Sequence, residues 1–209
     1  FYQGRIMNEL ASLEEIREVI GEPNPLASKK IYTQLNSRMQ EFIQTSPLVM
    51  LSTVDKFGFP TISPKGDKAG FVQVRDEHTL LLPELRGNKL AFSLTNIVET
   101  NNKVGLIFLR PGTVETLRVH GHCRLVEGGI CDEVSGATHR ALMVLEISVQ
   151  NAYFHCGKPL LRSKAWNSAS YMEPMKVSFG KEIAENTEAD EEFIRETDRA
   201  VEGRYKTDL

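Results

Sequence analysis

Along this chain the spacing of apolar positions changes from helical to alternating and back. In "SLEEIREVIGEP", Leu13, Ile16 and Ile20 share one helical face. Ser12 and Glu15 form a capping-box pair ahead of it, and Gly21 with Pro23 ends it. A second helix is predicted over Ile31 to Gln44, where Ile31, Leu35, Met39, Phe42 and Ile43 recur at helical spacing. At Pro47 the period drops. "LVMLSTVDKFGFPTISP" reads as a strand, a turn at Gly58 and a second strand. "GFVQVRDEHTLLLP" reads as a further pair about a polar turn, Arg75 to His78. A loop, "ELRGNK", leads to a helix with Leu90, Leu94, Ile97 and Val98 on one face. "KVGLIFLRPG" and "TVETLRVHGHCRLV" form another pair joined by Pro111-Gly112. A short polar stretch, Gly128 to Ala137, precedes a long strand, "ALMVLEISVQNAYFHC". The charged "NTEADEEFIRETDRAVEGRY" keeps a thin apolar stripe of Phe193, Ile194 and Val201, which predicts a peripheral helix that frays at its end.

Six or seven closely spaced strands joined mostly by short turns predict an antiparallel barrel, mainly β, with peripheral helices. The expected organisation is a single domain in four stretches. Residues 1–6 are a tag remnant or disordered start, Phe1-Tyr2-Gln3-Gly4 resembling a protease scar, with the native start near Met7. Residues 7–46 hold the N-terminal helices, 47–166 the barrel, and 167–209 a C-terminal extension.

Composition narrows the function classes. A formal net charge of -3 over 209 residues argues against non-specific nucleic-acid binding. No apolar run reaches the length of a membrane span. Cys123, Cys131 and Cys156 lack CxxC spacing, which argues against a disulfide framework or structural zinc and for a reducing, cytoplasmic setting. There is no GxGxxG after a strand, no GxxxxGK, no GxSxG and no HExxH. His120 and His122 alternate on one strand face, but no third ligand stands at a recognisable spacing, so no metal is expected. His155 and Cys156 are neighbours that point apart, so they do not make a catalytic pair.

What remains is a set of cations at element ends. Pro64 beside Lys65 marks an edge strand or bulge, with backbone groups free for a ligand. Arg86 and Lys89 flank a helix start, where unpaired N–H groups favour an anion, and Gly87 permits close approach. Arg118 lies inside an apolar strand and needs either a polar site or an ion pair with Glu115 or Glu146. Lys158, Arg162 and Lys164 crowd the segment before Trp166, the lone tryptophan, itself either core or a stacking partner. Forked arginine donors suit a phosphate and apolar neighbours suit a flat heterocycle. Together they sketch a site for a phosphorylated ring cofactor.

The ordered set "SPLVMLSTVDKFGFPTISPKGD", "GFVQV", "LLLPELRGNKLAFSLTNI", "VGLIFLRPGTVETLRVHG" and "HCGKPLLRSKAW" resembles the pyridoxamine 5'-phosphate oxidase-like, FMN-binding split-barrel superfamily, and within it a bacterial subfamily of FMN-dependent enzymes. The resemblance implies a six-stranded antiparallel split β-barrel, a homodimer, and FMN at the subunit interface. It implies that Arg86, Asn88 and Lys89 hold the phosphate. It places Ser63 and Lys65 against the ring, Thr116 and Arg118 near the site, and Lys158, Arg162 and Trp166 where the C-terminal part approaches the flavin from the other subunit. True pyridoxamine phosphate oxidases end in a segment whose Arg and His grip the substrate phosphate; the tail after Trp166 here has no histidine and is acidic, so a B6 substrate is not implied. The expected activity is an FMN-dependent oxidoreductase acting on a small molecule, with no side chain assigned as catalytic. Open alternatives are a non-catalytic flavin-binding protein, or a split barrel that uses the deazaflavin F420 or binds haem.

Overall fold

A computed structural model describes residues 8–134 and 139–207. The expected tag remnant and the end of the Gly128 to Ala137 stretch lie outside the described residues. Helix α1 spans Leu13–Ile20 and carries the complete capping box of Ser12 and Glu15. Its predicted apolar face is exposed, with none of its residues buried.

The second helix, α2, is shorter than its periodicity suggests, at Ser37–Gln44. Asn36 starts it by accepting from the Met39 backbone N–H. The preceding residues are used otherwise. Tyr32 exchanges backbone hydrogen bonds with Ala152, and the Leu35 N–H bonds to the Glu77 carbonyl. Leu35, Met39 and Ile43 still reach the core, whereas Ile31 stays half exposed.

Seven strands follow among the described residues: β1 Leu48–Val54, β2 Pro60–Gly66, β3 Gln73–Asp76, β4 Thr79–Glu84, β5 Lys103–Leu109, β6 Thr116–Val126 and β7 Met143–His155. They form one sheet in the order β2-β1-β5-β6-β7-β4-β3, with every pairing antiparallel. Helix α3, Phe92–Glu99, crosses between β4 and β5. Inward residues from across the order, among them Val49, Leu51, Leu82, Phe108, Leu117 and Ile147, share one core with Ile43 of α2 and Ile97 of α3. This is a mainly antiparallel split barrel closed by helices. Its strand count is one more than the resemblance implies, the short β3 pairing only with β4.

Two departures from simple alternation have local causes. On β7 the inward positions are Leu145, Ile147 and Val149, then Ala152 and Phe154. A bulge between the partners of His120 and Gly121 shifts the parity there. On β4 the run Leu80-Leu81-Leu82 is buried throughout, because the helix α4, Gly129–Val134, covers its other face with Cys131 and Val134.

Beyond the barrel, α5 spans Lys158–Arg162, followed by α6 at Phe179–Thr187 and α7 at Glu191–Thr207. The expected single C-terminal helix is a pair. Gly180 allows the two to touch, since an added Cβ would lie 2.5 Å from the Ile194 carbonyl oxygen. Asp198 ties them, accepting from Ser178 Oγ at 2.6 Å and the Gly180 N–H at 2.9 Å, bonds that hold its carboxyl below the ordinary range.

Gly121 sits where β6 meets the β7 bulge, and an added Cβ would stand 2.5 Å from the Ser148 carbonyl oxygen and 2.8 Å from Ile147 Cγ2. Gly121→Ala is therefore expected to destabilise the fold by about 3 kcal/mol, read as a lower urea midpoint at unchanged slope. Burial, with the Glu146 charge adding to it, pushes the Cys123 thiol from 9.0 up to about 12. Cys131 is also buried and Cys156 is exposed. A disulfide-exchange titration of native protein should consume Cys156 rapidly and the other two only on unfolding. Because the raised value belongs to the folded state, the stability this thiol contributes is present below pH 9 and is lost as pH rises toward 12.

Candidate cofactor site

Strand β2 is an edge of the sheet, which is why Pro64 is tolerated within it. Its alternation half-buries Thr61, Ser63 and Lys65 and turns Ile62, Pro64 and Gly66 outward. Across from it β4 ends at Glu84 and the chain enters the loop that leads to α3. Between β2, this loop and the start of α3 lies a cavity of about 450 Å³, a size ordinary for small-molecule sites. Ser63, Lys65, Arg86 and Asn88 all line it, with Phe71, Pro83, Leu85 and Phe92 as apolar walls.

The loop presents a concentrated positive end. Helix α3 has no side-chain cap: its N-cap position is Ala91, in a left-handed conformation with φ 56°. The leading N–H groups of the helix are thus not taken by a capping side chain, and the helix dipole adds to them. Lys89 is also left-handed, at φ 64°. Arg86 is exposed and has no hydrogen-bond or ion-pair partner among the described residues. Asn88 accepts from the Leu90 N–H at 3.0 Å, so its oxygen shapes the loop. Nothing lies within 4 Å of a Cβ added to Gly87, which leaves open space before the loop backbone. Uncapped N–H groups, a free guanidinium and open space in front of them fit a phosphate group.

The face that α3 turns inward differs in part from the one its spacing predicts. Because α3 begins at Phe92, Leu90 belongs to the loop and is exposed, and Val98 is also exposed. The inward face is Ser93, Asn96 and Ile97, and Leu94 packs, partly buried, against the core as its spacing predicts. Asn96 Nδ2 donates to Thr53 Oγ1 and Thr61 Oγ1, each at 3.0 Å, and the two hydroxyls meet at 2.8 Å. That buried triad docks α3 onto β1 and β2.

Lys65 is not free. Its Nζ reaches both carboxylate oxygens of Glu84, at 2.8 and 2.6 Å. Glu84 and the Asn96 triad were missed in the sequence. Glu84 stands two residues before Arg86, but nothing in the spacing links it to Lys65, nineteen positions upstream.

The remaining expected residues lie elsewhere in this chain. Lys89 flanks the cavity without lining it. Thr116 and Arg118 are on the outer face of β6, where Arg118 sits between Ile107 and Tyr153 in the register. Neither ion pair considered for Arg118 forms. Glu146 is held by Arg124 at 2.7 Å and Arg75 at 3.2 Å, and Arg118 Nε is buried without a partner among the described residues. Lys158 and Arg162 are exposed on α5. Trp166 is half-buried, its indole N–H donating to the Thr113 carbonyl at 2.9 Å, which pins the segment after the barrel to the β5–β6 turn. His120 and His122 share a face as expected, along a second depression of about 380 Å³ that includes Lys103. Among the described residues no group of three or more His, Cys, Asp or Glu is arranged to hold a metal.

The sequence profile for pyridoxamine 5'-phosphate oxidase matches residues 35–156, from just before α2 to the end of β7. The chain belongs to the pyridoxamine 5'-phosphate oxidase family. No curated protein matches it. Among solved structures it is similar to HupZ of Group A Streptococcus, at 21% identity over 57% of this chain and 93% of that one, TM-score 0.47. An FMN-binding protein of Syntrophomonas wolfei is 14% identical over 69% of this chain and 97% of that one, TM-score 0.45. A general stress protein 26 relative of the pyridoxinephosphate oxidase family, from Clostridium acetobutylicum, is 14% identical over 56% and 85%, TM-score 0.44. The family match takes in the whole cavity, from Thr61 to Leu94, and excludes α1 and α5 to α7.

Removing the Asn96 amide leaves the buried Thr53 and half-buried Thr61 hydroxyls with one partner fewer each. Asn96→Ala is expected to lower stability by about 2 kcal/mol, and hydrogen exchange should rise first in α3 and in the β1–β2 hairpin.

Proposed function

We propose that this chain is an FMN-binding flavoprotein, an oxidoreductase for a small molecule, working as a homodimer in the cytoplasm. The observation that carries the reading is the conjunction, at one cavity, of the uncapped α3 N-terminus with the unpaired Arg86. That conjunction supplies two kinds of donor suited to a dianionic phosphate. Arg86 and the α3 N–H groups would hold the phosphate, with Asn88 shaping the loop and Lys89 adding charge at its rim. Phe71, Pro83 and Phe92 would exclude water beside a flat ring, and Ser63 with Lys65 would offer polar contacts on the β2 side. Bound FMN supplies the redox step, and the protein supplies orientation and charge.

The dimer reading concerns the residues that stand away from the cavity. Arg118, on the outer sheet face, has a buried Nε without a partner among the described residues, and Ile62 on the edge strand is 70% exposed. A second copy against that face would satisfy both and bring Thr116, Arg118, Lys158, Arg162 and Trp166 toward the partner's cavity.

Purified protein should show the flavin absorbance bands and release FMN on heating. Arg86→Ala should lose at least about 2 kcal/mol of FMN binding, roughly thirtyfold. An Arg86→Ala protein that retains a full complement of FMN would remove the phosphate assignment. Reoxidation kinetics after reduction by NADH or NADPH separate an enzyme from a flavin carrier.

A further inference from the structure

The cavity holds a carboxylate where an anion is to bind. Glu84 lines it two residues from Arg86, and both its oxygens are taken by Lys65. The two side chains are 17% and 16% exposed, so their attraction is only partly screened. The pair also bridges a gap. Strands β2 and β4 are not neighbours in the sheet, so Lys65 and Glu84 join two walls that share no backbone hydrogen bonds. One cation of the cavity, Arg86, is therefore free, and the other is held.

We propose that Glu84 is a displaceable counter-ion. It holds Lys65 across the cleft, and it competes for that cation when an anionic ligand enters. Glu84 thus sets the affinity of the cavity for anions, and Arg86 with the α3 N-terminus makes the first contact. The identity of the ligand as FMN rests on the function proposed above; the competition itself does not.

The test compares wild type with Glu84→Gln, Lys65→Met and the double variant. FMN binding is read by quenching of flavin fluorescence, and inorganic pyrophosphate binding by the shift in Tm. Glu84→Gln keeps an oxygen that can accept from Lys65 but removes the negative charge. It should bind both anions about tenfold more tightly, with a steeper loss of affinity as salt rises. In the Lys65→Met background the same change should alter binding by less than about twofold, because the held cation is gone. Glu84→Asp, shorter by one methylene, should give an intermediate gain and serves if the glutamine variant fails to fold. Unchanged or weaker anion binding in Glu84→Gln overturns the inference, as does an equal gain without Lys65, which would mean plain repulsion. If no variant binds FMN while pyrophosphate still shows the gain, the flavin reading fails and the counter-ion role stands. FMN binding without a gain has the opposite meaning.

Discussion

The buried contact among Asn96, Thr53 and Thr61 fixes where the site is. Three polar side chains on three elements, Asn96 and Thr53 buried and Thr61 half-buried, exchange hydrogen bonds of 2.8 to 3.0 Å. Each would be costly to bury alone, so they are stable only together, and only with α3 seated on the β1–β2 hairpin. Seating α3 this way aims its N-terminus at the mouth between β2 and the end of β4. The position of the cavity thus follows from a contact at its edge, where Thr61 both lines the cavity and accepts from Asn96. A leucine at position 96 would bury as readily but would not select this docking over a rotated one.

The barrel was legible because its cues are local. Strand alternation, Gly58 and Pro111-Gly112 turns and the Ser12 capping box all depend on residues a few positions apart. The edge position of β2 was legible for the same reason, through Pro64. Periodicity misleads where a tertiary contact outweighs it. Tyr32 bonds to Ala152 rather than entering α2, and Asn96 turns α3 so that Val98 faces water. At the cavity, the sequence offered Ser63, Lys65, Arg86 and Asn88, which the fold does assemble. It offered no hint of Glu84, because ion pairing across a cleft depends on how two non-adjacent strands face each other.

Net charge says little about such a site. The chain is acidic by -3, and Glu182, Glu191, Glu192 and Glu196 place much of that charge on the C-terminal helices. At distances beyond about 8 Å, salt screens such charges in physiological solution. What an approaching anion meets is the immediate wall: a free guanidinium, the uncapped end of α3, and a lysine already engaged by a carboxylate. Two of these attract without any loss of existing bonds. The third attracts only by giving up Glu84, so its net contribution is the difference between two ion pairs rather than the strength of one. A cavity built this way can bind an anion firmly and still release it, because the carboxylate remains in place to take Lys65 back.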